Sequence, residues 1–385
     1  MKKQNSRIFL VCYASYLFIY VARLNLSMAA PGLKETAILT TEQIGLLGSI
    51  FSVVYACGRL FSGFLSDKNA PWKMISTGLI LCGISNICFG LFPPFAAILL
   101  LWGVNAFAQS MLWGAILRIL SAIYPEKIAK KRASYMATTV ASGNLVGILL
   151  NKELISRFGV SWAFLIPGAI TLVLSVFVVL HTHSIQPPAA ASASRGFGGL
   201  LRKPSIRKML LPALIHGVLK DNISLWMTVY IMDSFGVDLE KSSYYVLLIP
   251  AVGFLARLLA PELYRTAQER ERPLLLGGFA ISAAAALLLT FFAETAWTAI
   301  GYLSLIYMAI SVMNACFLSF FPLRFTQEGY VASVSGILDF ATYLGTGISA
   351  AVFGVMIDSY GYGSMFAAWA VICCVGFLLL EKSKE

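Results

Sequence analysis

A few ionisable side chains interrupt otherwise apolar stretches of this chain: Arg23, Arg59, Arg118, Lys220, Asp221, Arg257 and Asp339. A charge at the centre of a bilayer costs about 2.5–3.5 kcal/mol even on the lenient insertion scale, so a charge inside a spanning segment is a functional candidate. Arg59 and Arg257 stand within a turn or two of the polar flanks, where their heads can snorkel to the interface. Arg23 and Lys220 lie mid-span. Two fixed cations brought to one place favour an anion, above all a tetrahedral oxyanion, because the guanidinium fork and the ammonium can share its oxygens. The competing reading is internal neutralisation, with Lys220 paired to Asp221 or Asp339. His216 stands four residues before Lys220 on the same helical face, where it is either a proton-sensitive group beside the cation or a packed imidazole.

The elements that carry these residues follow from composition. Of 385 residues 58% are apolar and only 12% charged, and the mean hydropathy is +0.79; a soluble domain has about 25% charged residues. The chain is therefore read as an integral membrane protein. Its apolar runs are continuous and about 20 residues long, which demands helices and excludes the alternating strands of a membrane barrel. Twelve spans are expected, the second over 43–65, the fourth over 95–121, the fifth over 133–154 and the tenth over 296–322. The formal charge of +11 would suggest nucleic acid in a soluble protein. Here the cations crowd one set of alternate loops and the termini, as in Lys2, Lys3, Arg7, Lys130, Lys131, Arg132, Arg202, Lys203, Arg207, Lys208, Arg270 and Arg272. The opposite loops hold Lys34, Lys152, Arg157 and Lys241. By the positive-inside rule the crowded side is cytoplasmic, both termini are cytoplasmic, and no nucleic-acid partner is implied. Met1 to Arg7 with the following apolar run is expected to be an uncleaved first helix. The seven cysteines lie in apolar spans without a Cys-x-x-Cys pair and imply neither disulfide nor metal.

Residues 182–208, with Pro187-Pro188, an Ala/Ser run and a basic cluster, read as a cytoplasmic linker between six-helix bundles 1–181 and 209–385. Cys57-Gly58-Arg59-Leu60-Phe61 corresponds to Leu255-Ala256-Arg257-Leu258-Leu259, and Arg157-Phe158-Gly159 to Ser359-Tyr360-Gly361. Two parallel repeats of this kind resemble the major facilitator transporters. That resemblance implies an all-α integral membrane fold of twelve transmembrane helices in two six-helix bundles, in which the helices bearing Arg23 and Lys220 face a central cavity. The segment from Gly63 to Lys73 resembles the superfamily's Gly-x-x-x-Asp-Arg/Lys loop, implying a gate at Gly63 and Asp67, with which Arg118 is grouped. The counterpart Pro261-Glu262-Leu263-Tyr264-Arg265 lacks the carboxylate at that place.

Within that superfamily, Tyr20-x-x-Arg23-x-Asn25 looks like the first-helix signature of the organophosphate:phosphate antiporters, the glycerol-phosphate and hexose-phosphate transporters. Asn105 to Trp113 with Arg118 beyond it, Lys131-Arg132-Ala133-Ser134, and Ser335-Gly336 followed by Tyr343-Leu344-Gly345 resemble further segments of that family. The resemblance implies that Arg23 and the helix-7 cation grip a substrate phosphate. Tyr20, Asn25, Gln109, Trp113 and Asn144 are expected to line the cavity, with His216 near it. Three departures stand out. The helix-7 arginine is Lys220 here, the helix-5 histidine falls on Gly143, and Asp339 is a carboxylate where glycerol-phosphate members have glycine.

The expected function is secondary active transport of a small anionic organic solute, an organophosphate or a carboxylate, by alternating access across the cytoplasmic membrane. The coupling ion is phosphate through antiport or a proton through symport, with Asp339 and Asp221 as counter-charges. A proton-coupled efflux pump for cations or drugs and a transporter-like membrane sensor are the alternatives. No Ser/His/Asp, metal or nucleotide motif points to an enzyme, no cofactor is expected, and a monomer is.

Overall fold

The computed structural model describes residues 2–186, 197–237 and 239–382. Within them all regular structure is helical. The first half comprises α1 (Lys2–Glu35), α2 (Thr41–Lys68), α3 (Pro71–Gly90), α4 (Phe95–Ser110), α5 (Leu112–Ile123), α6 (Glu126–Ala137), α7 (Thr139–Phe158) and α8 (Trp162–Thr182). A short α9 (Phe197–Leu201) precedes α10 (Pro204–Phe235), α11 (Leu239–Thr266), α12 (Glu271–Phe292) and α13 (Ala296–Ala315). A π turn, Cys316–Phe320, leads to α14 (Phe321–Leu323), and α15 (Val331–Tyr360) and α16 (Tyr362–Lys382) complete the chain.

Ten described stretches are long and apolar enough to cross a membrane. The 32-residue α10 and 28-residue α11 occupy the remaining two expected spans, so the all-α, twelve-span architecture holds. The fourth expected span is α4 and α5 meeting at Met111, and the fifth is α6 and α7 meeting at Thr138. Leu10, Val53, Phe61, Leu100, Val173, Phe291 and Val371 point outward from the helices; a bilayer rewards such exposure where water would not.

Local chemistry sets the ends. Thr40 and Gln43 form a reciprocal capping box at the start of α2, and Thr295 and Thr298 form another at α13. Gly159 (φ 93°) and Gly236 (φ 61°) close α7 and α10 in a backbone conformation that favours glycine. α2 runs past the expected end of the second span to Lys68, so Asp67 as well as Gly63 stands inside a helix and the connection shrinks to Asn69 and Ala70. Asn69 holds that last turn, giving both its backbone N–H (3.1 Å) and its side-chain amide (2.8 Å) to the Leu65 carbonyl.

The chain forms two compact units, Met1–Ser194 with Pro322–Gly336, and Arg195–Phe321 with Ile337–Glu385. The first has α3 against α8 and α4, and α1 against α7 and α8, around a core that includes Cys12, Tyr16, Leu79, Leu112 and Trp113. The second has α12 against α13 and α16, and α11 against α13, with Phe366 and Trp369 packed edge to face.

Candidate functional site

In the first unit the candidates begin with Arg23 on α1. Its guanidinium carbon lies 4.6 Å from the Phe51 ring centroid, 4.8 Å from Tyr55 and 5.9 Å from Tyr20. Phe51 and Tyr55 are one turn apart on α2 and their rings stack with centroids 6.0 Å apart, so α2 presents a paired aromatic face to the cation. Such faces stabilise a guanidinium electrostatically and restrict its plane. The opposite side of α1 is closed by α7. A Cβ on Gly143 would come within 2.7 Å of Tyr20 Cβ and 2.8 Å of the Leu17 carbonyl oxygen, and one on Gly147 would be 3.3 Å from Val21 Cα. The position at which the resemblance places a histidine therefore has no room for a side chain.

The other expected lining residues separate. Asn25 and Gln109 are buried. The Asn25 amide donates to Asn86 Oδ1 (2.5 Å), Asn86 donates to Asn105 Oδ1 (3.2 Å), and Gln109 donates to the same oxygen (3.2 Å). This chain of four amides ties α1 to α3 and α4. Sequence reasoning missed Asn86 as a partner; an amide in an apolar span, with Asn105 and Gln109 one turn apart, was the available signal. Trp113 lies in the core with its ring 5.1 Å from Tyr16. Asn144 is exposed on α7, while Tyr20 is half-buried.

The carboxylate of Asp67, buried in the last turn of α2, accepts from two backbone N–H groups at the start of α15: Ala332 to Oδ1 at 3.0 Å and Ser333 to Oδ2 at 2.7 Å. It thereby caps the helix and meets the positive end of its dipole. Arg118 of α5 stands behind, its Nε 3.6 Å from Asp67 Oδ1. The same guanidinium donates to the carbonyls of Ser66 and of Asn69 (2.6 Å), which bind the end of α2. Small residues make the approach possible. A Cβ on Gly63 would lie 2.7 Å from the Ala332 carbonyl oxygen, one on Gly114 would lie 2.8 Å from Ala332 Cβ, and one on Gly336 would strike the Arg59 carbonyl. Gly63, Asp67 and Arg118, grouped as a gate from sequence, thus meet at one helix N-terminus. Arg59 does not snorkel: it is buried, with a guanidinium nitrogen 3.4 Å from the Ser110 carbonyl. Arg257 is buried as well.

In the second unit α10 and α15 share a tight seam. A Cβ on Gly217 would strike the Thr342 carbonyl, and one on Gly345 the Leu214 carbonyl. Thr346 donates to the Gly217 carbonyl (2.8 Å) and Asn222 to Ser349 Oγ (2.6 Å). Beside this seam the Lys220 ammonium lies 4.7 Å from the Tyr343 ring centroid, and Asp339, one turn before Tyr343, is buried. His216 is fully buried, with Nε2 3.3 Å from Asn314 Oδ1 and its ring 5.5 Å from Phe317. The side chain of Asp221 lies outside the described residues.

With this geometry in place, the family model described as Major Facilitator Superfamily matches residues 12–337. A probable hexose phosphate transport protein of Chlamydia muridarum is 30% identical over 45% of this chain and 38% of its own length. The membrane sensor protein UhpC of Escherichia coli is 26% identical over 66% of this chain and 63% of its own. The chain thus spans less than two thirds of the length of either relative. Among solved structures, that of the human organic anion transporter MFSD10 superposes with a TM-score of 0.81 over 98% of this chain and 99% of that one at 17% identity, a likeness of fold.

Proposed function

The chain belongs to the Major Facilitator Superfamily, and from that premise we propose that it moves a small anionic organic solute, an organophosphate or a carboxylate, across the cytoplasmic membrane by alternating access. Within the superfamily it resembles the organophosphate:phosphate antiporters, and a relative's name speaks of hexose phosphate. The observation that carries the reading is Arg23, a guanidinium in a spanning helix laid against Phe51 and Tyr55. The planar fork of a guanidinium matches the oxygens of an oxyanion. Lys220 provides the second cation, and both contact the solute's anionic group. Asp339 supplies the negative charge to which a coupling proton is tied, and antiport against phosphate is the alternative mode. Asp67, with Gly63 and Arg118, holds one state of the cycle by capping α15, and the other state requires that cap to open. Both termini face the cytoplasm, and the working unit is a monomer.

A thermal-shift screen of the purified protein tests this reading, because a ligand that binds only the folded state raises its apparent stability by RT ln(1 + [L]/Kd). Phosphorylated metabolites and carboxylates are expected to stabilise it and amphiphilic cations are not. Stabilisation by the cations alone would favour the efflux-pump alternative. The likeness to a membrane sensor supports a second reading in which the same site binds its anion without net transport. Solute binding without uptake in reconstituted vesicles would select it.

A further inference from the structure

Given the anion-carrier reading above, on which this rests, we infer that Asn86 of α3 is a positioning residue for the anion site. Through Asn25 it sets the turn of α1 about its own axis, and with it the bearing of Arg23. Asn25, Asn86 and Asn105 are fully buried. Asn86 gives its amide hydrogens to the Cys82 carbonyl (2.8 Å), one turn back on α3, and to Asn105 Oδ1 of α4 (3.2 Å). A side-chain amide has only two hydrogens to give. With both directed this way, its Oδ1 is held toward α1, where it accepts from the Asn25 amide at 2.5 Å. Gln109, one turn beyond Asn105, steadies that residue by donating to the same Oδ1 (3.2 Å). α1 thus meets an acceptor whose direction is fixed by α3 and α4.

The placement of residues round α1 explains how that bond reaches Arg23. Successive residues of a helix are about 100° apart, so Asn25 lies about 200° from Arg23, on nearly the opposite side. The residues against which Gly143 and Gly147 of α7 close, Leu17, Tyr20, Val21 and Leu24, fall about 60–160° from Arg23. Arg23 is left to face α2, where Phe51 and Tyr55 receive its guanidinium at 4.6 and 4.8 Å. The α7 surface is smooth where it meets α1, because Gly143 and Gly147, one turn apart, offer backbone and no side chain. Close packing of this kind fixes how near two helices come but resists rotation weakly, whereas a directional hydrogen bond between helices resists it. Losing the Asn86 acceptor lets α1 turn. The length of the arginine side chain magnifies that turn at the guanidinium, which leaves the rings and the place where the anion is gripped.

The bearing of Arg23 can be read directly. In protein labelled with 15N-arginine and held in lipid bilayers, the Arg23 guanidinium resonance is the one missing from Arg23→Lys, and the rings of Phe51 and Tyr55 shift its protons upfield. Asn86→Leu is expected to move that resonance toward the position it takes in Phe51→Leu. It should also require about tenfold more glucose 6-phosphate for the same rise in Tm. Asn25→Leu should do the same, and the double variant no more than either, because both act through one bond. The double variant leaves neither amide of that pair orphaned and serves where a single variant fails to insert. A residue that only packed α3 against α4 would lower Tm and leave both measurements in place. An Arg23 resonance unmoved in Asn86→Leu and in the double variant would overturn this inference and leave the carrier reading standing. Stabilisation of the wild type by neither glucose 6-phosphate nor inorganic phosphate would overturn the carrier reading and with it the anion-site role of Asn86, even where the resonance moves.

Discussion

Arg23 shows how much a single side chain depends on the shape of its charge. Lysine would keep the charge but lose the planar face that lies against Phe51 and Tyr55 and the fork that divides an oxyanion's oxygens. Arg23→Lys is expected to lower transport at least about tenfold, the equivalent of about 1–2 kcal/mol of stacking and bidentate contact. Lys220→Arg should be tolerated better, since it restores the residue of the family it resembles. Uptake of the best solute from the thermal-shift screen measures both, and full transport by a properly inserted Arg23→Ala protein would remove the anion clamp. Gly143 makes a complementary case. Its missing Cβ is what lets α7 lie on Tyr20 and Leu17, so Gly143→Ala should cost about 1–3 kcal/mol through overpacking. A lowered Tm in detergent would register it, and an unchanged Tm would mean that α1 and α7 can part more easily than their packing suggests.

At the level of elements, one carboxylate joins two helices far apart in sequence. Asp67 binds the Ala332 and Ser333 N–H groups together, and the Gly63 and Gly114 backbones admit Ala332 closely. In Asp67→Asn one carboxylate oxygen becomes a donor facing another donor, and the charge opposite the helix dipole disappears. The cap should weaken by about 1–2 kcal/mol, roughly tenfold in the balance between capped and open states. Cysteines placed near the start of α15 should then label faster from the cytoplasmic side while ligand binding persists. The same labelling rate with normal turnover would reduce Asp67 to a topology residue. The sequence shows a glycine, an acid and an arginine at suggestive spacings, but not that Asp67 stands within a helix whose end Asn69 secures.

At the scale of the whole molecule, the proposed carrier would tie solute movement to an ion gradient through rocking of residues 1–181 against 209–385. Asp339→Asn is expected to leave counterflow exchange measurable but to abolish proton-driven accumulation, because the negative charge that holds the proton is gone. Pairing of Asp339 with Lys220 predicts that removing both together harms folding less than removing either alone. Accumulation against a gradient with undiminished proton movement in Asp339→Asn would make Asp339 a structural residue only. The twelve spans and helical class were legible in the sequence, because a bilayer compels long apolar runs to satisfy their backbone hydrogen bonds internally. Arg23 and Lys220 stood out because charge in apolar surroundings is costly, and Asp67 through the loop motif that begins at Gly63. Their partners were decided by tertiary structure alone. Nothing in the local pattern distinguishes the buried Asn25 and Gln109, spent on Asn86 and Asn105, from the exposed Asn144. Arg59 and Arg257 looked able to reach the interface and are instead buried. The α10–α15 seam exists because Gly217 and Gly345 meet carbonyls more than a hundred residues away, and such long-range packing has no signature in residue spacing.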